Sequence, residues 1–183
     1  MVLVTPTSTA VTGAGSSATI NAGGSVSFTA CATLSLNGVF TSTYDNYAIV
    51  YWAKATTGTA YEYIRFRWRA GGVDNSTAST YVQQVLEAYS TTVSGTRVTT
   101  DYGAFGPTDE TANLRPSGAY TTFYGPYLTQ PTVSRCVSAG SADNAWIGDD
   151  VTIQTQSISF DGFTMYVTTG GITGRVCVYG MRK

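Results

Sequence analysis

The sequence predicts an all-β protein, a single β-sandwich or jelly-roll domain with an extended N-terminal arm. Charged residues make up only 11% of the 183 residues, below the roughly 25% of an ordinary soluble domain. Short stretches alternate between apolar and polar side chains, and Gly, Pro, Asn and Asp separate them, as in two-layer β domains. The length suits one domain of roughly 100 to 200 residues, which we expect over residues 25–183.

Residues 1–24 are predicted to form the arm. Thr, Ser, Ala and Gly dominate this segment, Pro6 interrupts it, and apolar residues are too few to build a core element. A segment of this composition is seldom ordered unless another surface holds it. We therefore expect it to dock onto a neighbouring subunit or to fold back onto its own domain.

The first predicted strand begins after the arm and alternates without interruption to the turn at Asn37-Gly38. Period two over this length indicates one half-buried strand. Asn-Gly tolerates the positive φ of a tight turn, so the strand is expected to end there. One face carries Val26, Phe28, Ala30, Ala32, Leu34 and Leu36, and the other carries Ser27, Thr29, Cys31, Thr33 and Ser35.

Two further strands are predicted over residues 44–52 and 60–72. In the later one, apolar and basic residues alternate, so one face should enter the core and the other should carry positive charge. The core face holds Ile64, Phe66 and Trp68, and the opposite face holds Arg65, Arg67 and Arg69.

Residues 76–90 fit either a helix or a strand. A helical stripe comprises Tyr81, Val82, Val85, Leu86 and Tyr89 with Ser76 as cap, whereas Val82, Leu86 and Ala88 fit a strand. The β-rich neighbours favour the strand. Residues 91–118 are expected to be loops with a short strand at 96–100.

Short extended runs fill the sequence from residue 119 onward. The last two alternate around Gly170-Gly171 and predict a closing hairpin with a structural role. Its faces are expected to hold Phe163, Met165 and Val167 against Thr164, Tyr166 and Thr168, with Val176 and Val178 on the matching face of the last strand.

Charge and hydropathy exclude several partners. A net charge of −1 and a pI of about 5.2 give no positive field for nucleic acid. The absence of an 18-residue apolar run argues against a membrane span, and residues 1–24 lack the basic region of a secretory signal. Cys31, Cys136 and Cys177 are too few and too widely spaced for a disulfide framework or a metal pattern, so we expect free thiols.

Catalytic residue types are scarce. The chain has no histidine, which removes Ser-His-Asp and Cys-His catalysis and the commonest zinc and iron ligand sets. A carboxylate pair of the glycosidase kind remains, but each candidate lies beside loop-forming residues, and neighbouring Asp149 and Asp150 would point to opposite faces of a strand. The candidates are Asp143, Asp149, Asp150, Asp161 and Asp109-Glu110. The sequence therefore predicts no enzymatic activity, cofactor or metal.

Two surface features are candidates for binding. The ridge of Arg65, Arg67 and Arg69 suits bidentate contact with carboxylates or phosphates of an anionic partner, or it is a strand face paired with Glu62 and cross-strand acids. Trp146 is a candidate surface stacking residue for sugars, whereas the other two tryptophans are interpreted as core or interface residues.

Four segments in order, "LSLNGVFTSTYDNYAIVYW", "RFRWRAGGVDN", "YGPYL" and "FDGFTMYV…GGITGRVCVYGMRK", resemble a family of bacteriophage virion proteins. These occur as stand-alone proteins and as C-terminal fibre modules that end in a Val-Tyr-Gly strand. The resemblance covers most of residues 26–183 and implies a non-enzymatic β-sandwich on the particle exterior, assembled as a symmetric homo-oligomer such as a trimer. This chain lacks the coiled-coil or shaft segment of the longer relatives.

The resemblance leaves two roles open. In a tail-tip or fibre-type protein, loops at about 71–78, 101–118 and 139–150 would contact a host cell-surface glycan. In a capsid decoration protein, the arm and sheet edges would clamp neighbouring capsid subunits. Either role has other virion subunits as partners and needs no signal peptide, because virion proteins are assembled in the host cytoplasm.

Overall fold

The structure, a computed structural model, describes residues 1–56, 62–108, 115–140 and 145–182. The strands in these residues form two antiparallel sheets, which confirms the predicted all-β sandwich. Sheet A comprises β1 (Val2–Val4), β3 (Ser17–Ile20), β4 (Val26–Cys31), β6 (Asn46–Ala55), β9 (Tyr81–Tyr89), β10 (Thr92–Thr100), β12 (Ser117–Tyr124), β13 (Gln130–Gly140), β14 (Trp146–Ile158) and β16 (Ile172–Met181). Sheet B comprises β2 (Ser8–Thr12), β5 (Thr33–Asn37), β7 (Tyr63–Ala70), β8 (Val73–Asp74), β11 (Gly103–Pro107) and β15 (Gly162–Tyr166).

The strand order places β10 and β3 at the two edges of sheet A. From one edge to the other the order is β10-β9-β14-β13-β12-β6-β16-β4-β3, and β1 pairs with the part of β16 that β4 leaves free. In sheet B the order is β11-β7-β15-β5-β2, with β8 beside the end of β7. Sheet A is therefore wider than sheet B.

An aromatic core lies between the sheets. Ile64, Phe66 and Trp68 of β7 are fully buried, as their alternation predicts. The Phe66 ring centroid lies 4.5 Å from that of Phe105, and Trp68 packs against Phe123 at 5.2 Å. Offset and tilted contacts of this kind add to the large apolar area that each ring buries. The core joins strands that are far apart in the sequence.

Residues 1–24 do not form an extended arm. They contribute β1 to sheet A along β16, β2 to the edge of sheet B along β5, and β3 to the edge of sheet A along β4. The fold-back alternative is therefore what the chain adopts. Backbone hydrogen bonds hold these short strands, and such bonds require little apolar content in the segment itself.

The strand expected over residues 25–36 is two strands in different sheets. The chain crosses from sheet A to sheet B at Ala32, after Ala30 adopts a φ of 50°. A residue in the left-handed region breaks the alternation of the strand. The Cys31 side chain therefore enters the core and does not share a strand face with Thr33 and Ser35. The predicted turn at Asn37-Gly38 is confirmed, with Gly38 at a φ of 65°.

The expected closing hairpin is wrong. β15 pairs with β5 and β7 in sheet B, whereas β16 pairs with β6, β4 and β1 in sheet A, so residues 167–171 cross between the sheets. The inward faces are as predicted, since Phe163, Met165, Val176 and Val178 are all buried. Alternation identifies which side of a strand is buried but not which strand lies beside it.

The ambiguous segment at 76–90 is a strand, β9, as its neighbours favoured. The following region holds more structure than expected: β10 and β11 occupy much of 92–107. β9 and β10 form a hairpin with a two-residue loop, in which Ser90 has a φ of 52°. That hairpin forms one edge of sheet A.

Candidate functional site

The outer face of sheet A carries a groove of about 900 Å³. Its walls and floor come from two rows of side chains that the strand register aligns across six strands. The first row is Trp52, Gly118, Ala139, Ile147, Ala88 and Val93. The second row is Val50, Tyr120, Val137, Asp149, Leu86 and Gly95.

Small residues create the groove floor. Gly118, Ala139 and Ala88 lie between the larger side chains of Trp52 and Val93. A Cβ at Gly118 would lie 2.8 Å from the Tyr51 carbonyl oxygen, so the floor at that point has to be glycine. The row is therefore low at Gly118 and Ala139, between Trp52 and Ile147, and low again at Ala88, between Ile147 and Val93.

The groove is apolar and exposed. Trp52 is 48% exposed, Ile147 63% and Val93 72%, and Leu86 and Val137 extend the same surface. A contiguous apolar patch of this kind typically marks an interaction site, because isolated apolar residues alone are normal on a protein surface. This surface is therefore the candidate functional site.

One ion pair borders the groove. The Nε and Nη2 groups of the Arg135 guanidinium donate to the Asp149 carboxylate, with Nε–Oδ1 at 2.9 Å and Nη2–Oδ2 at 2.6 Å. The hydrogen bond from Arg135 lowers the pKa of Asp149. Because the two side chains satisfy each other, the groove rim presents no unpaired charge at this point.

The groove lies near one end of the sandwich. There β6 and β13 end while β12 and β14 begin, as the pairs Ser117 with Ala53 and Gly140 with Trp146 show. Much of the expected host-contact loops at 101–118 and 139–150 belongs to strands β11, β12, β13 and β14. Residues 109–114 and 141–144 lie outside the described residues.

The arginine ridge projects from the outer face of sheet B, as its alternation predicts. Arg69 is largely buried and forms an ion pair with Asp74. It also donates to the hydroxyls of Ser35 at 3.1 Å and Thr164 at 2.7 Å, and to the Asn37 side chain at 3.0 Å. Arg69 therefore ties β7 to three other strands of sheet B, β5, β8 and β15.

The other two arginines contact tyrosines. Arg67 pairs with Asp101, and its guanidinium lies 4.9 Å from the Tyr166 ring centroid. Arg65 lies 4.4 Å over the Tyr102 ring, and no described carboxylate forms a salt bridge with it. An anionic partner for the ridge stays a prediction, and Arg65 is its most available member.

Glu62, one expected acidic partner of the arginine ridge, bonds to other residues. The Glu62 carboxylate accepts from the hydroxyls of Thr168 at 2.6 Å and Thr169 at 2.8 Å. A cross-strand acid is present as that interpretation expected, because Asp74 on β8 lies opposite Arg69 and forms an ion pair with it, and Arg67 pairs with Asp101. Alternation in the sequence did not identify either acid as a partner. Asp74 lies in a strand of only two residues, and Asp101 lies just beyond the end of β10.

Trp146 is not a surface stacking residue. It is 2% exposed, its Nε1–H donates to Glu87 Oε2 at 3.3 Å, and its ring covers Gly148, where a Cβ would lie 2.2 Å from a ring atom. The prediction is wrong because β14 begins at Trp146 and alternation turns its side chain inward. The exposed aromatic residues of the groove are Trp52 and Tyr120 instead.

The sequence left Trp52 as either a core or an interface residue, and the structure places its side chain on the outer face, 48% exposed. Its signal lies in the alternation of β6, where Ile49, Tyr51 and Ala53 are buried and Val50 and Trp52 face outward. Both faces of β6 are apolar, so periodicity alone did not separate the core face from the groove face. Pairing with Tyr120 and Gly118 across β12 completes the site.

The carboxylate candidates do not come together. Asp149 and Asp150 point to opposite faces as predicted, although they lie in β14 and not in a turn. Asp161 is a loop residue, as expected, and its Oδ2 accepts from the Gly71 N–H at 3.1 Å. Asp109, Glu110 and Asp143 lie outside the described residues.

Asp150 is buried without a partner. It is 1% exposed, and neither carboxylate oxygen has a hydrogen bond among the described residues. Burial raises its pKa to about 7, and the negative charges of Glu87 and Asp149 add to the rise. Cys136 lies directly opposite on β13 and is a free, buried thiol, with Cys31 also buried and Cys177 partly exposed.

The described ranges hold no group of three or more His, Cys, Asp or Glu side chains placed to bind a metal ion. Within those same ranges, no helix has the length and apolarity of a membrane span.

Comparison with known proteins gives little further information. No family model matches the chain, and no curated protein matches it. A solved structure with a weak likeness is domain 4 of AbnA, a GH43 extracellular arabinanase from Geobacillus stearothermophilus, in complex with arabinotriose. It is 8% identical over 96% of this chain and 83% of that domain, with a TM-score of 0.32. A likeness at this level assigns neither fold nor ligand.

Proposed function

We propose that the protein is a non-enzymatic structural component of a bacteriophage virion, exposed on the particle exterior as a tail-tip or fibre-type subunit that contacts the host surface. The observation that carries the proposal is the apolar groove on the outer face of sheet A. An apolar surface with a single satisfied ion pair at its rim suits adhesion to, or assembly with, another surface. The four-segment resemblance to phage virion proteins supplies the biological setting.

The groove fits a binding role better than a catalytic one. A catalytic site places titratable groups where a substrate can reach them, whereas Asp150 faces the interior and Asp149 is held by Arg135. Trp52 and Tyr120 provide exposed aromatic faces near the groove end, which can stack on the apolar face of a sugar ring. Contact with a host cell-surface glycan would use these two residues.

Capsid decoration is the second candidate, and a specific observation favours it. Glu87 and Asp149 are the two charged residues among the described groove-lining residues, and depletion of charged residues is typical of the buried core of a contact between protein subunits. In this role the groove, and not an N-terminal arm, would clamp a neighbouring capsid subunit. A symmetric homo-oligomer is part of either proposal.

Gold labelling of intact phage with an antibody to this protein tests the proposal. Label at the tail tip supports the tail-tip role, and label over the head supports capsid decoration. Phage particles without label would overturn the virion proposal in both forms.

A matched pair of variants tests the groove. Ile147→Asp places a charge on the groove wall, and Leu128→Asp places one between β12 and β13, outside the groove and outside the expected host-contact loops, where the side chain is 41% exposed. We expect Ile147→Asp to reduce incorporation or host adsorption by at least about tenfold, because desolvating a charge at an interface costs well over 1.4 kcal/mol. Leu128→Asp should behave as wild type, and equal effects of the two variants would contradict a function in the groove.

A further inference from the structure

The outermost strand of sheet A, β10, is an open edge. It contains nine residues paired without a bulge to β9 along one side, and seven of the nine are exposed. No described strand pairs with its other side. Such an edge presents unpaired N–H and C=O groups in the geometry that a further strand requires.

The sequence of β10 lacks the features that normally protect an edge. Natural edge strands are short or carry charges, proline or bulges. In β10, "TVSGTRVTT", Arg97 is the one charged residue and proline is absent. The residues are otherwise mostly Thr and Val, which favour strand pairing.

The other described edges are shorter. β3 has four residues and β2 has five, and these two strands contact each other at the opposite side of the sandwich. β11 has five residues and packs beneath β13. The edge of β10 spans about 31 Å at 3.4 Å per residue, so among these edges only a second β10 matches its length.

We infer that β10 pairs antiparallel with β10 of a second copy of this chain, which extends sheet A across a two-fold axis. The residues that flank the two-residue loop, Tyr89 and Thr92, form a hydrogen-bonded pair. Every second residue of β10 after Thr92 therefore points its backbone N–H and C=O away from β9, and these residues are Val93, Gly95, Arg97 and Thr99. An axis through Thr96 pairs these outward residues with one another. It sets Arg97 opposite Gly95 of the second copy and keeps the two Arg97 side chains apart.

Two further observations fit a second copy. In this register Val93 at the groove end lies opposite Thr99 of the second copy, so the two grooves stay on the same face of the extended sheet, offset along the strands. The net charge of −1 gives little repulsion between copies. Strand edges bury a small area, and we therefore expect a dissociation constant in about the micromolar range.

Sedimentation analysis of the full chain from about 1 to 100 µM tests the association. We expect the mass to rise toward twice the 19.3 kDa of one chain. Arg97→Pro removes an outward N–H and should abolish the rise, whereas Arg97→Ala keeps that N–H and should retain it. Circular dichroism checks that the proline variant is folded.

Cysteine cross-linking tests the register without relying on proline. In a Cys177→Ser background, Thr96→Cys places a thiol opposite its own copy, in a non-hydrogen-bonded pair whose Cα separation of about 4.5 Å suits a disulfide. The control, Thr19→Cys, lies exposed on β3 at the other edge of the same sheet. We expect oxidation of Thr96→Cys to the dimer to be faster by at least about tenfold.

A chain that stays at 19.3 kDa throughout, or equal cross-linking at the two edges, would overturn the inference. A dimer that Arg97→Pro does not weaken while remaining folded would place the contact elsewhere and also overturn it. Because these measurements use purified protein, they are independent of whether the virion proposal holds.

Discussion

The buried carboxyl of Asp150 makes the stability of the fold depend on pH. Its ordinary pKa is 3.8 and burial raises it to about 7. At 1.36 kcal/mol per pKa unit, the ionised carboxylate therefore costs the folded state about 4 kcal/mol. Because the folded pKa lies above the unfolded one, the native state binds more protons between about pH 4 and pH 7, and the free energy of unfolding falls as pH rises through that window.

Asp150→Asn removes this titration. At pH 8 we expect the variant to be more stable than wild type by about 3–4 kcal/mol, because the amide carries no charge to desolvate and, like the protonated carboxyl, is buried without a partner. Near pH 4, where wild-type Asp150 is protonated, the variant should equal wild type or be slightly less stable. Urea unfolding followed by tryptophan fluorescence at each pH measures the difference.

Asp149→Asn is the control on the neighbouring residue. Its pKa is lowered by Arg135, so its contribution is present at neutral pH and is lost as pH falls below the ordinary value. This variant should keep the wild-type decline of stability between about pH 4 and pH 7. If Asp150→Asn shows the same decline as wild type, the assignment of that decline to a buried, unpartnered Asp150 is refuted.

Three further predictions concern the fold. Deleting residues 1–24 removes β1, β2 and β3 and leaves their partner strands unpaired, so circular dichroism and thermal scans should show loss of a cooperative transition. Trp68→Ala empties a fully buried site and should lower the free energy of unfolding by about 3–5 kcal/mol in urea titrations. Gly162→Ala places a Cβ 2.2 Å from the Leu36 carbonyl oxygen and should destabilise clearly, whereas Gly95→Ala, whose nearest neighbour is 3.8 Å away, should leave the urea midpoint nearly unchanged.

Alternation in the sequence predicted the buried face of several strands. β7 shows the clearest case, because Ile64, Phe66 and Trp68 occupy every second position and are followed by a Gly-Gly turn. Here one face is fully apolar and the other carries arginines, so only one orientation keeps charge out of the core. The fold class followed from many such strands.

Strands with weak apolar content were underestimated. β2, β3 and β10 consist largely of Ser, Thr, Ala and Gly, and they lie at sheet edges where few side chains are buried. Their stability comes from backbone pairing with a neighbour that lies far away or beyond a turn. No local sequence pattern identifies the neighbouring strand. The sequence therefore predicted an extended arm over residues 1–24 and mostly loops over residues 91–118.

The groove depends on register, which the sequence does not display. Trp52, Gly118 and Ile147 are separated by many residues and meet only because β6, β12, β13 and β14 pair in one alignment. A shift of one residue in the pairing of any of these strands would turn all of its outward side chains toward the core. Alternation in the sequence therefore shows neither which apolar face of β6 points outward nor how these side chains assemble into one surface.

The position of β16 constrains the order in which the sandwich can form. This strand fills the gap in sheet A between β6 on one side and β4 with β1 on the other. Until residues 172–181 have left the ribosome, β4 and β6, which are made earlier, have no partner on that side. We therefore expect nascent chains to remain incompletely folded until β16 inserts, and folding to be slow, because pairing between distant segments carries a large loop-closure cost.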